Sequence, residues 1–204
     1  MFFSIDGGDG VGKSTQVALL CQWLTQLGYA VVSCRDPGST RLGEAVRELL
    51  LHRQDLHPTR RSEMLLYMAA RAQLADEVIR PALHQGRIVV SDRYLLANVV
   101  YQGYGGGLDV EALWQVGEIA TGGVMPELTL LLDMPAEAAL ARIARTHDRM
   151  EQQGLEFHRR VREGFLKEAQ RQPDRIVVID ADRPVQLVQA DIRAAVGKRL
   201  GRKG

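Results

Sequence analysis

The sequence predicts one α/β domain over residues 1–204, with a central parallel β-sheet of about five strands and helices on both faces. One observation behind this fold is the length of 204 residues, which suits a single core. A second is a set of short apolar runs without polar alternation, which is typical of strands buried on both faces. A third is that longer helical patterns separate these runs, and such alternation favours parallel βαβ units.

The predicted elements alternate along the whole chain. The strands are Phe2–Ile5, Ala30–Ser33, Ile88–Val90, Leu128–Leu132 and Arg175–Ile179. The helices are Lys13–Leu27, Leu42–Leu51, Glu63–His84, Tyr94–Gln102, Glu111–Ala120, Ala136–Arg145, Glu156–Gln170 and Val185–Leu200. Ligands of such sheets bind outside the carboxyl ends of the strands. We therefore expect the functional residues to follow the strands directly, where acids such as Asp6 and Asp92 stand.

The composition excludes several classes of partner. Charged residues make up 25% of the chain and the net charge is +1, so clustered basic charge for a nucleic acid or an anionic membrane is lacking. No apolar run approaches the roughly 20 residues of a membrane span, and the N-terminus lacks the basic region of a signal peptide. Cys21 and Cys34 form no CxxC motif. These features predict a cytoplasmic protein with reduced thiols and without a nucleic-acid or membrane partner.

A phosphate-binding motif follows the first strand. Residues 7–15 match G-x-x-x-x-G-K-[ST] at Gly7, Gly12, Lys13 and Ser14. Glycines let backbone N–H groups point inward at phosphates, the next helix adds its positive end, Lys13 reaches the terminal phosphates and Ser14 ligates Mg²⁺. The alternative is a glycine-rich turn that precedes a helix by chance. The predicted ATP-binding residues here are Gly7, Gly8, Asp9, Gly10, Val11, Gly12, Lys13, Ser14 and Thr15.

Three charged residues stand close to this motif in the predicted fold. Asp9 lies inside the loop, where an acid would repel ATP phosphates, so it is predicted to contact a hydroxyl of a second substrate or a water on Mg²⁺. A solvent-facing loop acid is the alternative. Asp92 ends the third strand in the Walker-B arrangement, which predicts a place in the Mg²⁺ shell. The guanidinium of Arg93 suits a bidentate phosphate contact.

The segment Tyr94–Gln102 predicts an amphipathic helix. Its polar side carries aromatic and amide groups that suit a base edge and a sugar, whereas an ordinary solvated face is an equal alternative. Those polar residues are Tyr94, Asn98, Tyr101 and Gln102, and the apolar ones are Leu95, Leu96, Val99 and Val100. The glycine-rich run 103–107 is predicted to end the helix.

Three further segments carry candidate residues with open alternatives. Tyr67 and Arg71 are four apart and share a helix face. The ring could stack on a base while the arginine binds its phosphate. Taken by themselves, however, the two residues favour a tyrosine in the core and an arginine on the surface. Arg35 lies at the ligand end of the second strand, with a structural ion pair as the competing interpretation. The spacing of Arg142, Arg145 and Arg149 puts three guanidinium groups on one face if the helix persists, which suits the charge of phosphoryl transfer or a solvated basic face.

Three motifs together resemble those of the thymidylate kinase family. They are GGDGVGKST, RDPGST, and SDRY followed by the N-x-x-Y-Q-G run at 98–103. The resemblance extends from Phe2 to about Asp182. It implies a P-loop nucleoside monophosphate kinase fold with a short lid at about 142–154, and transfer of the γ-phosphate of Mg·ATP to dTMP, giving dTDP and ADP for dTTP supply to DNA synthesis. It also implies a homodimer.

The resemblance also implies roles for individual residues. Asp9 binds the 3′-hydroxyl of dTMP, Tyr67 stacks on thymine, Tyr101 crowds the 2′ position and Asp92 helps to hold Mg²⁺. Arg71 and Asn98 read the thymine edge with support from Gln102, and Arg35 and Arg93 hold the dTMP phosphate. Arg142 and Asp182 lie on the ATP side. The residues implied in catalysis are Asp9, Lys13, Arg93, Arg145 and Arg149.

Some positions place the chain in one branch of the family, and others depart from the family pattern. Gly10 together with the lid arginines matches the mostly bacterial branch with a plain P-loop and a basic lid. Ser39 replaces the usual second glycine, Ala97 replaces a frequent serine, and Tyr67 replaces the usual phenylalanine. The competing functions are another small phosphoryl-transfer kinase and a nucleotide-binding protein without kinase activity. The basic tail 198–204 is predicted to be disordered.

Overall fold

The protein forms a five-stranded, wholly parallel sheet in the computed structural model, which describes residues 1–53, 55–143, 150 and 153–201. The strands are β1 (Phe2–Gly7), β2 (Val31–Arg35), β3 (Ile88–Asp92), β4 (Leu128–Asp133) and β5 (Ile176–Asp180). Their order across the sheet is β2-β3-β1-β4-β5. The predicted fold class is confirmed, and all five strands extend past their predicted carboxyl ends.

Strand register brings the functional segments to one edge. Ile5 of β1 and Arg35 of β2 both align with Asp92, and Gly7 aligns with Leu132 of β4. All four of these strands run in the same direction, so the loops after them meet. The phosphate-binding loop therefore emerges at the centre of the sheet, beside the ends of its neighbours.

The helices cover both faces of the sheet. They are α1 (Lys13–Gln26), α2 (Arg41–Leu51), α3 (Arg60–Leu74), α4 (Arg80–His84), α5 (Leu95–Asn98), α6 (Val110–Thr121), α7 (Ala136–Ala141), α8 (Leu155–Arg171) and α9 (Val185–Leu200). Side chains of β1 alternate between faces, because successive residues of a strand point in opposite directions. Phe3 and Ile5 pack in the cluster with α1 and α9, whereas Phe2 packs with α3, α5 and α6.

The long helix predicted over Glu63–His84 is interrupted. After α3 the backbone forms a wide π-type turn at Ala75–Ile79, and α4 follows directly. Pro81 explains the widening, because proline has no N–H to donate and its ring crowds the carbonyl four residues earlier. The helix also begins earlier than predicted, since the Thr59 hydroxyl accepts from the backbone N–H of Ser62 and caps α3.

The segment after β3 differs from the predicted regular helix. Only α5 is regular, and a π-helical stretch at Val99–Gly105 continues the winding, so the glycines did not end the helix at 103 as predicted. Tyr94 is not on a polar face. It is 1% exposed, its ring meets that of Phe2 edge-on at 5.0 Å, and its hydroxyl donates to the carbonyl of Val124.

Two predicted segments lie partly outside the described residues. Of the lid at 142–154, only residues 142, 143, 150, 153 and 154 are described, and α7 ends at Ala141. Of the tail at 198–204, residues 198–200 form the last turn of α9, and residues 202–204 lie outside the described part. Within the described ranges, no helix is both long enough and apolar enough to cross a bilayer.

Candidate active site

The phosphate-binding loop has the backbone that its glycines predict. Gly10 has φ +79°, and a Cβ there would lie 1.9 Å from the carbonyl oxygen of Ala139, so position 10 accepts only glycine. Gly12, at φ +92°, leads directly into α1. The Lys13 ammonium is buried and donates to the carbonyl of Gly8 at 2.5 Å. The loop thus curls around its own lysine at the N-terminus of α1.

The charge of Lys13 depends on its surroundings. Burial and then the positive charge of Arg93 lower the pKa of Lys13 to about 8, although nearby carboxylates, led by Asp9, oppose them. A low-dielectric site disfavours an ammonium that lacks a close anionic partner. A phosphate beside Lys13 would supply that partner and restore the ordinary affinity for a proton.

The two predicted metal ligands meet at the end of the sheet. The Ser14 hydroxyl, in the first turn of α1, donates to Oδ2 of Asp92 at 2.8 Å. Hydroxyl and carboxylate oxygens are the donors that Mg²⁺ prefers, and Mg²⁺ is usually held by one or two protein groups together with substrate phosphates. Among the described residues, no cluster of three acidic, histidine or cysteine side chains forms a separate metal site. The pair therefore fits a metal that a phosphate helps to bind.

Asp9 belongs to a tight cluster and is not a solvent-facing loop acid. Its side chain is 15% exposed, Arg93 Nη2 donates to Oδ1 at 2.5 Å and the Tyr101 hydroxyl donates to Oδ2 at 2.7 Å. Burial raises the pKa of Asp9, but the charge of Arg93 and weaker neighbouring effects outweigh it, and the net pKa lies below the ordinary value. Asp9 is therefore an ionised acceptor. Burial also raises the pKa of Tyr101 well above its ordinary value, which keeps that hydroxyl a donor.

Arg93 occupies a strained backbone position directly after β3. Its φ is +67°, in the left-handed region that non-glycine residues rarely adopt. The strain is held by its backbone N–H donating to Ile5 and its carbonyl accepting from the Ser91 hydroxyl at 2.6 Å. The side chain also donates from Nη1 to the carbonyl of Gly7 at 2.8 Å. This conformation turns Arg93 across the phosphate-binding loop, and such strain clusters at functional sites.

A buried polar row crosses the opposite side of the cleft. Arg71 donates from Nε to Asp36 at 2.5 Å and from Nη1 to Oδ1 of Asn98 at 2.9 Å. Asn98 donates to Gln102 at 2.7 Å, and Gln102 donates to Glu63 at 2.8 Å. Arg71 is only 2% exposed, so the prediction of a surface arginine, which the residues around it favoured, is wrong. The solvated face considered for the segment after β3 is also excluded, because Asn98, Gln102 and Tyr101 are all buried.

Arg35 and Arg142 contact acids on the rim of the cleft. Arg35 forms an ion pair with Glu44 at 2.7 Å, so the competing interpretation of a structural pair describes its contact, although it also lines the cleft. Arg142 donates to Asp182 at 3.1 Å and to the carbonyl of Ala181 at 3.3 Å. The two residues predicted on the ATP side are thus adjacent. Arg145 and Arg149 lie outside the described residues, and their roles stay predictions.

These groups surround one cleft of about 660 Å³ at the carboxyl ends of the strands. Most of the predicted site residues line it, whereas Gly7, Gly8, Val11 and Asp182 do not. The side chain of Val11 instead packs in the core, so only its backbone is available for a phosphate. The predicted residues that line the cleft are Asp9, Gly10, Gly12, Lys13, Ser14, Thr15, Arg35, Tyr67, Arg71, Asp92, Arg93, Asn98, Tyr101, Gln102 and Arg142.

Three residues of the site were not predicted from the sequence. Asp36 is 3% exposed and anchors Arg71, and its position directly after β2 is the signal that identified Asp92 after β3. Glu63 is 0% exposed and ends the polar row. The sequence gives no sign that Glu63 is buried, because acids in the first turn of a helix, where Glu63 lies in α3, are usually on the surface. Arg47 lines the cleft from α2 and donates to the carbonyl of Pro37.

Comparison with known proteins agrees with this geometry. The family model described as Thymidylate kinase matches residues 5–192. A thymidylate kinase of Synechococcus sp. (strain JA-3-3Ab) is 50% identical over 200 residues, which cover 98% of this chain and 97% of the relative. A thymidylate kinase of Kosmotoga olearia is 45% identical over 195 residues, which cover 94% of this chain and 93% of the relative.

A solved structure extends the likeness to three dimensions. The crystal structure of thymidylate kinase from Ehrlichia chaffeensis is 32% identical, with a TM-score of 0.79 over 97% of this chain and 98% of that chain. The family match, the relatives and the structure all cover nearly the whole chain, including the phosphate-binding loop and the Arg71 row. The chain belongs to the thymidylate kinase family.

Proposed function

We propose that this protein transfers the γ-phosphate of Mg·ATP to dTMP and releases dTDP and ADP, acting as a homodimer in the cytoplasm. The observation that carries the proposal is the single cleft shared by a phosphate-binding loop and a buried polar row. The loop supplies the place for a triphosphate, and the row supplies fixed donors and acceptors for a base edge. Their common opening lets the two substrates face each other.

On the donor side, the loop amides and Lys13 bind the phosphates of ATP, while Arg142 and Asp182 border its adenosine end. Ser14 and Asp92 hold Mg²⁺ together with those phosphates, and the ion supplies charge neutralisation there. The hydrogen bond from Ser14 to Asp92 supports this assignment, because it brings two oxygen donors to the same corner of the cleft. The phosphate replaces the carbonyl of Gly8 as the partner of Lys13.

On the acceptor side, Tyr67 stacks on the base, and Arg71, Asn98 and Gln102 bind its edge. The amide and guanidinium groups are already held in place by Asp36 and Glu63. Preorganisation of this kind reduces the ordering cost of binding. Tyr101 lies against the sugar and disfavours a 2′-hydroxyl, while Asp9 accepts a hydrogen bond from the 3′-hydroxyl.

The chemistry follows from charge and position. The attacking atom is a phosphate oxygen that is already anionic, so no strong general base is required. Arg35 and Arg93 orient the acceptor phosphate, and catalysis rests on alignment with the γ-phosphate and on neutralising its charge. Arg145 and Arg149 contribute further positive charge to that transfer.

A coupled ADP-release assay tests this proposal. Mg·ATP is supplied with dTMP, dUMP, the ribose form of TMP, CMP or thymidine. Strong turnover with dTMP, weak turnover with dUMP and none with thymidine is expected, since only a monophosphate engages Arg93. Lys13→Met should abolish turnover, whereas Lys198→Met, on the exposed surface of α9, should not. Turnover of thymidine but not of dTMP would refute the proposal. ATP binding without turnover of any of the acceptors would also refute it.

The homodimer is tested separately by light scattering during gel filtration. The chain has a mass of 22.7 kDa, so the proposed dimer elutes with twice that mass. A species of the single-chain mass at working concentration would refute the dimer and would leave the proposed reaction unaffected.

A further inference from the structure

A second, smaller cavity lies beneath the phosphate-binding loop. Its volume is about 20 Å³, and it is enclosed by the loop, the end of β4, α7 and α8. Most of its lining is apolar, but Gly8, Asp9, Asp133, His158 and Arg162 also border it. His158 comes from α8 and is 5% exposed. Within the part of the chain that the structure describes, its Nε2 is buried without a hydrogen-bond partner.

A buried imidazole nitrogen without a partner is costly, so a partner is expected where space allows. A cavity needs about 10–15 Å³ to hold one water molecule, and that water needs two to four polar neighbours. This cavity meets both conditions. The carboxylate of Asp133 is already engaged by Arg162, at 2.8 and 2.9 Å. On the loop side, the polar residues that border the cavity opposite His158 are Gly8 and Asp9.

We propose that this cavity holds one ordered water that links His158 Nε2 to the phosphate-binding loop at Gly8–Asp9, which makes His158 a positioning residue for Asp9. This inference rests on the proposed function. The other side of Asp9 is already fixed by Arg93 and Tyr101. The water provides the opposing contact, so that the carboxylate is held from both sides.

The electrostatics of Asp9 agree with this proximity. Burial raises the pKa of Asp9 and the charge of Arg93 lowers it most, with a smaller lowering effect from the nearby His158. The ring of Phe157 packs edge-on against that of His158, with centroids 5.5 Å apart, which fixes the imidazole orientation. A fixed ring and a fixed water transmit the position of α8 to the loop. Displacement by about 1 Å of a group that aligns substrates can lower the rate about 100-fold.

Three substitutions separate the water link from simple packing. Glutamine places its terminal amide near the position of Nε2, asparagine ends near Nδ1, and leucine fills the space without a polar atom. His158→Asn and His158→Leu should lower kcat by about tenfold or more, with KM for both substrates changed by less than about threefold. His158→Gln should keep kcat within about threefold of the parent. A crystal structure of the parent at a resolution that shows ordered water should contain the water in this cavity.

Several results would overturn the inference. A fully active His158→Leu protein with a raised melting temperature would show that Nε2 is merely unpaired in a dry cavity. Equal losses in all three variants would assign the effect to the shape of the imidazole. A dry cavity in the parent crystal would exclude the link even if a variant fails to fold. A parent that does not turn over dTMP would refute the proposed function instead, and the crystallographic water would still decide whether the link exists.

Discussion

The buried ion pair between Asp36 and Arg71 gives the sharpest prediction of stability. Nε of Arg71 lies 2.5 Å from Oδ2 of Asp36, and the two side chains are 2% and 0% exposed. Asp36→Asn removes the negative charge while keeping the shape. The variant therefore buries the Arg71 guanidinium without its carboxylate partner, beside neutral acceptors such as Asn98. Breaking a buried pair in this way costs about 3–5 kcal/mol.

The partner substitution should be milder and should depend on pH. Burial raises the pKa of Asp36 above its ordinary value, while Arg71 opposes that shift. In Arg71→Met the carboxyl can therefore take up a proton and become neutral. A carboxyl with a raised pKa in the folded state stabilises the fold at low pH and loses that contribution as the pH rises through the raised pKa. Arg71→Met should therefore be less destabilised at about pH 5 than at about pH 8.

Urea unfolding followed by circular dichroism measures both effects. For a protein of this length, the loss in Asp36→Asn corresponds to a melting temperature lower by roughly 6–20 °C. The exposed pair of Arg35 and Glu44, with side chains 50% and 45% exposed, is the matched control. Glu44→Gln should cost less than about 1 kcal/mol. A cost below about 1 kcal/mol for Asp36→Asn would refute the reasoning, because it would mean that Arg71 is not held as a buried cation.

Three further predictions concern the reaction. Because the pKa of Lys13 is lowered to about 8 and a bound triphosphate should raise it, the affinity for ATP should fall above about pH 8, by up to tenfold per pH unit. Calorimetry should detect proton uptake there, Lys13→Arg should remove the dependence, and a flat profile would contradict it. Tyr101→Phe loses the hydroxyl that donates to Asp9 at 2.7 Å, so kcat/KM for dTMP should fall about 10–100-fold in the coupled assay. An unchanged value would exclude the contact from the reaction. From the sequence alone, Arg149→Ala should lower kcat about 1,000-fold with little change in KM for dTMP, whereas Arg87→Ala, on the exposed surface, should have no effect. A full-rate Arg149→Ala enzyme would remove that residue from the mechanism.

The sequence predicted those parts of the site that local backbone geometry determines. The loop at 7–15 follows from its glycines, since Gly10 and Gly12 adopt positive φ angles. Ser14 and Asp92 follow because the ends of neighbouring parallel strands must meet. The fold class follows from the alternation of apolar runs and helical patterns, which requires no knowledge of individual contacts.

Burial of charge was not predictable, because it depends on pairing across distant segments. In the sequence, Arg71 resembles a surface arginine of α3. Its burial depends on its ion pair with Asp36, which lies 35 residues away in the sequence. Tyr94 shares a helical period with the polar residues after β3, yet it precedes α5 in an extended conformation and enters the core. The π-helical turns also escaped prediction, because a 3.6-residue period assumes that every turn is regular.

Position 10 shows why the fold and the charge of the site are connected. A side chain there would collide with the carbonyl of Ala139, at 1.9 Å from its Cβ. This loop therefore cannot carry an additional basic residue at that position. Basic side chains near the loop can then come only from Lys13 or from other segments, which is consistent with the predicted roles of Arg145 and Arg149.

The central claim is that this cleft transfers phosphate between two bound nucleotides. Phosphorus NMR of the protein with Mg·ATP and dTMP observes that transfer directly. We expect dTDP and ADP to appear in equal amounts, with no accumulation of inorganic phosphate and no reaction in Lys13→Met. Release of inorganic phosphate without dTDP would contradict it, since the cleft would then deliver phosphate to water and not to the acceptor.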